Sequence, residues 1–563
     1  MSKITAKYPD HIFGDVEKPP RNLRYHAKRV LGVHHWDQTC WDPDVTPGRL
    51  TVNCTTHSRL SVKSVHLLWT RDDWQSQSQV DLEAVGQEWD DLTWGWVFFW
   101  RAELPVSAGD LLRYKIFARL ADGREVFADN QSEAGEQATQ FAQWLNPANR
   151  TPAWAEHARV YQVFVDRFNP GKGREWLQTK DLMQPFGGTL RGVTEKLDTL
   201  LDLGFNCLWL SPIFRSPSHH GYDISDYFEI EPRFGGKRDL EELICQAHQR
   251  GMRILLDFVA NHCSSQHESF RAAQGSKADP RYAWFNWKRW PKTYESFYDV
   301  PTMPRLNLHF GSPARQHLLE AAQFWLKMGV DGYRLDYANG PDRDFWVDFQ
   351  RACLEINPDC WTFGEVVAPA DEQAQFFGSM HGTLDFLTCQ ILREAFALRT
   401  RSVSELAGYL CASETGFPAD FSRPVFIDNH DMNRFIFAAQ GNFESLVAAL
   451  TLLYLLPQPP IVYYGTEKGL SQNHSIHDRG SHGFDEARLA MPWEENCSSR
   501  SLADLIRTLS AFRAANPWLT GASWELLSTS GDGAEARIRL GSGARELTVK
   551  IVVSDEVCAV TRE

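Results

Sequence analysis

The chain has 563 residues, more than a single hydrophobic core usually organises, so roughly two to four domains are expected. Hydrophobic residues make up 43% of it and charged residues 23%, values typical of folded globular protein rather than of disordered chains. The formal net charge is −14, with 58 basic residues scattered among 72 acidic ones. Because an anionic surface repels phosphate backbones, this composition argues against nucleic acid as a partner.

Neither a membrane span nor a secretory leader is predicted. The N-terminal residues lack the apolar stretch of a signal peptide, and no run approaches the ~18 apolar residues of a transmembrane helix. The 11 cysteines form no Cys-x-x-Cys pair and no His/Cys metal spacing. Those that fall in runs predicting buried strands or helices are Cys207, Cys245, Cys353, Cys360 and Cys389. Free thiols in a reducing compartment fit this pattern, so we expect a cytoplasmic protein.

Residues 1–150 predict an N-terminal β-sandwich domain. Residues 64–70, 95–103 and 111–120 are rich in β-branched and aromatic residues and are separated by turn-forming residues. The segment 146–152, which is rich in Pro and Asn, then predicts a linker.

Residues 151–500 predict strands that alternate with helices. Near-continuous apolar runs are typical of strands buried on both faces, and alternation with helices such as 190–203, 239–250 and 313–328 predicts a parallel sheet. Eight runs over roughly 350 residues favour an α/β fold closed into a (β/α)8 TIM barrel. The eight runs are 160–165, 206–210, 253–258, 332–335, 360–364, 383–387, 424–427 and 460–463.

An insertion follows the third predicted barrel strand. Residues 263–310 are rich in Trp and Tyr and are far too many for a simple strand-to-helix loop, so they predict an inserted loop domain. Residues 501–563 predict the last barrel helix and a short C-terminal β-domain, with strands near 536–540 and 546–553.

Four of the predicted barrel strands end in acidic clusters. The third ends at Asp257, shortly before His262; the fourth ends at Asp336, the fifth at Glu365, and the seventh runs into Asp431. The carboxyl ends of all strands of a TIM barrel meet at one rim, where active sites lie. A single Asp after a strand is most often a helix N-cap, but four such clusters with histidines and an arginine favour a shared site.

Converging carboxylates with neither a metal motif nor a phosphate loop suggest acid–base chemistry on a neutral substrate. Glycoside hydrolysis needs one carboxylic acid that protonates the leaving oxygen and a second carboxylate that attacks the sugar or activates water. Arg334 lies two residues before Asp336 and points to the same side of the strand, so it can keep that carboxylate ionised. The spacing alone leaves open which carboxylate has which role.

These four clusters resemble the signature regions of the α-amylase superfamily and follow its order along the chain. Gly-Gly-Thr-Leu-Arg-Gly at 187–192 and His-Gly-Tyr-Asp at 220–223 add two further matches. The resemblance covers roughly residues 155–500. It implies a TIM-barrel hydrolase that cleaves α-glucosidic bonds with retention of configuration through a glycosyl-enzyme intermediate.

The resemblance also implies a role for each matched residue. Asp336 would be the nucleophile, Glu365 the general acid/base, and Asp431 a third carboxylate that binds sugar hydroxyls and supports the distorted ring. Asp257 would be a structural carboxylate at the base of the site. The implied substrate-binding residues are Tyr222, His262, Arg334, His430 and Asn339.

Within the superfamily the chain looks nearest to the neopullulanase, cyclomaltodextrinase and maltogenic amylase group. Met-Pro-Arg-Leu-Asn at 303–307 is similar to the Met-Pro-Lys-Leu-Asn of that group, and an N-terminal β-domain is typical of it. After the nucleophile the group reads Val-Ala-Asn-Glu, where this chain reads Tyr-Ala-Asn-Gly at 337–340. We therefore expect hydrolysis of maltooligosaccharides, cyclodextrins, pullulan or starch, with the preference among them open.

No cofactor is expected. The calcium loop of the family is rich in Asp and Asn, whereas this chain has Lys172 and Arg174 there, and Thr189 replaces the Asp common in the glycine turn. Hard cations need several oxygen ligands, so calcium is not expected in this loop, although Asn261 leaves a second calcium site open.

The resemblance further implies a homodimer, since in similar proteins the N-terminal domain packs against the barrel of the partner. Two alternatives to a hydrolase follow from the same residues. A transglycosylase would form the same intermediate and pass it to a sugar, and no residue decides between the two. A glucan-binding barrel without catalysis would lack one of the three carboxylates, and this chain has all three.

Overall fold

The computed structural model describes residues 31–35, 48–91, 93–413, 417–493, 497–554 and 556–563. No helix within these ranges is long and apolar enough to cross a membrane.

The N-terminal strands form one antiparallel sheet in the order β1-β2-β5-β4-β3-β6-β7, with β8 paired to β6. They are β1 (Val33–His35), β2 (Arg49–His57), β3 (Val62–Thr70), β4 (Ser78–Asp90), β5 (Gly95–Pro105), β6 (Leu111–Leu120), β7 (Glu125–Phe127) and β8 (Phe141–Trp144). The first residues of β4 pair with β3 and its later residues pair with β5, so the sheet folds over into two layers. Val52, Leu67 and Ile116 pack between the layers, which confirms the predicted β-sandwich.

The barrel strands among the remaining elements alternate with helices as predicted. The strands are β9 (Val160–Val163), β10 (Cys207–Leu210), β11 (Phe214–Arg215), β12 (Asp226–Ile230), β13 (Arg253–Val259), β14 (Trp287–Arg289), β15 (Thr293–Tyr294), β16 (Gly332–Asp336), β17 (Trp361–Gly364), β18 (Gly382–Thr383), β19 (Ile461–Tyr463), β20 (Ser523–Thr529), β21 (Glu535–Ser542), β22 (Arg545–Val553) and β23 (Cys558–Arg562). The helices are α1 (Ala153–Glu156), α2 (Val165–Phe168), α3 (Leu190–Thr194), α4 (Leu197–Asp202), α5 (Lys237–Gln249), α6 (Glu268–Gly275), α7 (Pro313–Met328), α8 (Arg343–Ile356), α9 (Ala370–Ala374), α10 (Phe386–Leu392), α11 (Val403–Ser413), α12 (Phe435–Ala438), α13 (Phe443–Leu455) and α14 (Cys497–Ala515).

The central sheet is parallel and closed. Its order is β18-β17-β16-β13-β10-β9-β19, and residues 422–425 join its two edges. On one side Ser422 pairs with Gly382, and on the other Val425 pairs with Pro460, both in parallel. The segment thus pairs with both edge strands, and the predicted TIM barrel is confirmed.

The barrel is least regular where it closes. The predicted strand 383–387 is only the two-residue β18, and the predicted strand 424–427 makes isolated bridges instead of a ladder. Proline at 424, 459 and 460 explains this, because proline donates no ladder hydrogen bond.

Helix ends follow local chemistry. Helix α7 begins after Ser312, whose hydroxyl accepts a hydrogen bond from the Ala314 amide, and ends at Gly329 with a φ of 110°. The predicted helix 190–203 is instead two short helices, α3 and α4. The prediction that Cys245 is buried is also wrong: Cys245 lies on the exposed face of α5, whose buried residues include Leu243 and Ala247.

The insertion after β13 returns to the strand that it leaves. It contains α6, the β14–β15 hairpin and a 3₁₀ turn at Phe297–Asp299. The Leu306 amide donates to the carbonyl of Asn261, and Arg305 pairs with His262. The Met-Pro-Arg-Leu-Asn stretch therefore lies along the carboxyl end of β13.

The C-terminal strands β20–β23 form an antiparallel sheet in chain order. Ile538, Leu540 and Ile551 belong to the same hydrophobic core as the barrel helices, so this sheet packs directly on the barrel. The predicted C-terminal β-domain is this sheet.

Candidate active site

Asp336 and Glu365 lie side by side at the carboxyl rim of the barrel. Asp336 is the last residue of β16, and Glu365 directly follows β17, the neighbouring strand. The Glu365 amide donates to the carbonyl of Leu335, and its own carbonyl accepts from the Ala338 amide. Adjacent strands are about 4.8 Å apart, so their terminal side chains lean over the same space.

Arg334 is the electrostatic centre of the site. Its side chain is completely buried, and Nη1 lies 2.7 Å from Asp257 Oδ1 and 3.0 Å from Asp336 Oδ1. Nη2 lies 2.8 Å from Glu365 Oε2. One guanidinium therefore contacts carboxylates from three successive barrel strands, and the indole of Trp209 covers it at 5.3 Å.

Burial raises the pKa of Asp336 well above its ordinary value. The charge of Arg334 opposes this shift, while Glu365, Asp257 and Asp431 reinforce it. The predicted charge pairing with Arg334 is present but does not outweigh burial. The neighbouring carboxylates therefore add to burial in favouring the protonated form of Asp336.

Asp431 has the opposite electrostatic balance. Its Oδ1 lies 2.7 Å from Arg488 Nη2, and its Oδ2 lies 2.9 Å from His430 Nε2. Burial raises the pKa of Asp431, but His430, Arg488 and Arg334 outweigh it and hold that pKa below its usual range. Asp431 is therefore a fixed negative charge near Asp336.

Tyr222 and His430 form a stacked polar pair. Their rings lie 5.3 Å apart at an interplanar angle of 3°, and the Tyr222 hydroxyl contacts both His430 Nε2 and Asp257 Oδ2. The side-chain amide of Gln162 donates to His430 Nδ1 at 2.8 Å. Since Nδ1 accepts this bond, Nε2 carries the proton and faces Asp431.

His262 is buried behind Tyr222 and contacts its backbone. Its side chain is 1% exposed, its Nε2 donates to the carbonyl of Tyr222 at 3.0 Å, and its ring stacks on Phe297 at 4.5 Å. Burial lowers the pKa of His262 to about 4, so the ring is neutral at pH 7. In this structure His262 supports the Tyr222 backbone.

Asn339 and Gly340 lie at the edge of the site. Asn339 is exposed and is not part of the network around Arg334 within the described residues. A Cβ at Gly340 would lie 2.1 Å from Asn261 Oδ1, and the Gly340 carbonyl accepts a hydrogen bond from Arg305 Nη2 at 3.1 Å. A larger side chain, such as the glutamate that the resemblance implies at this position, does not fit unless Asn261 moves.

Sequence reasoning missed Arg488, Gln162 and Trp209. Arg488 lies far beyond the Asp431 cluster, in no recognised motif, yet it pairs with Asp431 and donates from Nε to the carbonyl of His430. Gln162 and Trp209 are inward-facing residues of β9 and β10. A polar residue within an apolar strand run was the available signal for Gln162, whereas nothing in the sequence distinguished Arg488.

The loop after β9 is held by an ion pair. Arg167 Nε lies 2.8 Å from Asp166 Oδ2, both side chains are buried, and the guanidinium packs over Phe186 at 3.9 Å. The Asp166 carboxylate also accepts from the amides of Phe186 and Gly187. These groups do not fit a calcium ion, because the buried guanidinium of Arg167 already pairs with the Asp166 carboxylate. No group of three or more His, Cys, Asp or Glu side chains with metal-binding geometry occurs in the described part of the chain.

A closed barrel whose rim gathers carboxylates around a buried arginine has the architecture of a TIM-barrel glycoside hydrolase. The family description "Alpha amylase, catalytic domain" matches residues 162–505, and the chain belongs to the α-amylase family.

Similar proteins agree with this family. Alpha-amylase 2 of Dictyoglomus thermophilum is 36% identical over 381 residues, which cover 67% of each chain. A cyclomaltodextrinase of a Bacillus species is 32% identical over 415 residues, covering 68% of this chain and 71% of the relative. In a solved structure, the cyclic α-maltosyl-(1→6)-maltose hydrolase of Arthrobacter globiformis is 30% identical with a TM-score of 0.65, covering 71% of this chain and 92% of that enzyme. The predicted likeness to the cyclomaltodextrinase group is confirmed.

Proposed function

We propose that this α-amylase-family hydrolase cleaves α-glucosidic bonds with retention, with Asp336 as nucleophile and Glu365 as general acid/base. The observation that supports these roles best is the Arg334 guanidinium, which contacts both carboxylates on adjacent strands. A retaining mechanism requires two carboxyl groups close together, one that attacks the sugar and one that protonates the leaving oxygen.

The first step forms a glycosyl-enzyme intermediate. An Asp336 oxygen attacks the anomeric carbon while the Glu365 carboxyl gives its proton to the glycosidic oxygen. The bond between carbon and oxygen breaks, and the leaving sugar departs with a new hydroxyl group. The fixed negative charge of Asp431 and the Nε2 proton of His430 bind hydroxyls of the sugar that stays, and Tyr222 packs against it.

The second step releases that sugar. Water gives a proton to the Glu365 carboxylate and attacks the anomeric carbon, and the bond to Asp336 breaks. Both carboxyl groups return to their starting states. The relatives described above carry the names of hydrolases, which favours water over a sugar as the acceptor.

Cyclic and short α-glucans are the substrate class that we propose. A relative and a structural neighbour are named for cyclic maltodextrins and for a cyclic maltosyl-maltose. Product profiles on cyclodextrins, maltooligosaccharides, pullulan and starch test this choice. Faster turnover of starch than of cyclodextrin would overturn it.

The stereochemical outcome tests the mechanism independently of the substrate. We predict that the carboxyl groups of Asp336 and Glu365 lie about 5–5.5 Å apart, as in retaining enzymes. The carboxyl groups of an inverting pair stand about 6.5–9.5 Å apart. Two displacements at one carbon restore the configuration, so an α-glucan should release the α-anomer first. Proton NMR in the first minutes of digestion measures this, and a β-anomer appearing first would show that Asp336 activates water instead.

We further propose that the enzyme is a homodimer and that it needs no metal ion. The first is supported by an exposed tryptophan cluster on the N-terminal sheet, and the second by the Asp166–Arg167 pair in the loop after β9.

A further inference from the structure

Two neighbouring tyrosines at the site have a backbone conformation that bulky residues rarely adopt. Tyr298, in the insertion, has a φ of 44°, and Tyr337, directly after Asp336, has a φ of 42°. Their ring centroids are 5.6 Å apart. Left-handed backbone at a bulky residue is unfavourable and persists where the surroundings hold it, often at functional sites.

Tyr337 connects this pair to the catalytic carboxylates. Its amide donates to Glu365 Oε2 at 3.0 Å. Phe297 packs between the pair and the core of the site, 4.9 Å from Tyr337 and 4.5 Å from His262. The pair therefore lies on the Glu365 side of the site, whereas Tyr222 and His430 enter from other strand ends.

Tyr298 is exposed even though it is anchored. Its relative exposure is 73%, among the highest for large apolar residues in the described ranges. Partial burial, Tyr337 and the negative charge of Glu365 all raise the pKa of Tyr298, which is consistent with a hydroxyl group turned toward Tyr337 and Glu365. One edge of the ring is thus held, and the rest of the ring faces solvent.

We propose that the Tyr298–Tyr337 pair binds the sugar on the leaving-group side of the scissile bond, with Tyr298 as its stacking surface. This inference rests on the proposed function. Glu365 protonates the glycosidic oxygen, so the leaving sugar must lie next to Glu365, where the exposed ring is. The flat face of an aromatic ring matches the apolar face of a pyranose, and the strained backbone of Tyr298 keeps the ring there.

The experiment compares two substrates that differ on the leaving-group side. Maltotetraose has sugars there, whereas α-maltosyl fluoride has only the fluoride. Tyr298→Ala should lower kcat/KM on maltotetraose by about 10-fold or more, and on the fluoride by much less. Tyr298→Phe keeps the ring and should retain most of the activity. Val300→Ala, which removes another exposed apolar side chain from the same loop, should behave like the wild type.

Thermal stability separates binding from a structural role. Tyr298→Gly relieves the left-handed backbone, so it should raise Tm while lowering kcat/KM on maltotetraose. Equal losses of Tyr298→Ala on both substrates, or a lower Tm in Tyr298→Gly, would overturn the inference while the proposed function stands. A wild-type enzyme that hydrolyses neither substrate would instead overturn the proposed function.

Discussion

Asp336 combines burial with a negative charge that the proposed reaction needs. Its side chain is 9% exposed, and three other carboxylates surround it, whereas Arg334 is the one cation that contacts it directly among the described residues. Ionised Asp336 therefore destabilises the folded state at pH values above its raised pKa. Below about pH 3.8 Asp336 is protonated in both the folded and the unfolded chain, so this destabilisation disappears.

Asp336→Asn should lower the activity of the enzyme and raise its Tm. The amide keeps the shape and removes the attacking charge, so hydrolysis of maltooligosaccharides should fall by at least about 10³-fold. Because the neutral amide has no charge to bury, Tm should rise by about 2 °C for each ~1 kcal/mol gained. The gain should increase as the pH rises from 3.8 through the raised pKa of Asp336.

Glu365→Gln is the matched control for this substitution. It is also isosteric and neutral, but it removes the proton donor instead of the nucleophile. It should lose most activity on maltotetraose and retain more on α-maltosyl fluoride, which needs no protonation. Wild-type activity in Asp336→Asn, or equal losses of Glu365→Gln on both substrates, would contradict the assigned roles.

At the scale of elements, hydrogen bonds and ion pairs between residues of the protein hold the loops after the barrel strands in place. The Thr189 hydroxyl accepts from the Gly192 amide and starts α3, while Asp166 and Arg167 organise the loop after β9. The Met-Pro-Arg-Leu-Asn stretch lies along the carboxyl end of β13, and its Arg305 side chain donates a hydrogen bond to the carbonyl of Gly340.

Chelation should therefore leave the enzyme intact. With excess EDTA, Tm should move by less than about 1 °C and activity on cyclodextrin should persist, because the proposal is that folding does not depend on a bound ion. Arg167→Ala should instead lower the unfolding free energy by about 3–5 kcal/mol, since it leaves Asp166 buried without its partner. A fall in Tm with EDTA that calcium reverses would contradict this prediction.

At the scale of the molecule, the N-terminal sheet exposes an aromatic surface. Trp89, Trp94 and Trp96 are 42%, 80% and 42% exposed and pack edge to face at 6.4 and 5.5 Å. Exposed apolar clusters of this kind mark association surfaces.

This surface should be buried in a homodimer. Sedimentation at micromolar concentration should show twice the mass of the 64.3 kDa chain. Trp94→Asp should shift the protein toward the monomer, whereas Leu527→Asp, at a 43% exposed position on the C-terminal sheet, should not. A wild-type monomer at this concentration would refute the proposal.

Local sequence patterns determined the class of fold and most of the site. Apolar runs that alternate with helices require a parallel sheet, and a closed sheet brings every strand end to one rim. Asp257, Asp336, Glu365 and Asp431 therefore converge although they are far apart in sequence. Cys245 shows the limit of such patterns, because an apolar run does not reveal which face of a helix points outward.

Only the tertiary structure decided how the charges balance. Whether Asp336 is protonated depends on its burial, on Arg334 of its own strand, and on three carboxylates from other parts of the chain, and of these only Arg334 is encoded in its own segment. Arg488 reaches Asp431, and Tyr298 reaches Tyr337, through contacts between distant loops that follow no motif. The closing segment also depends on long-range pairing, since residues 422–425 pair with both edges of the sheet. Sequence spacing determines what lies along one strand, whereas burial and electrostatics depend on what the other strands bring to it.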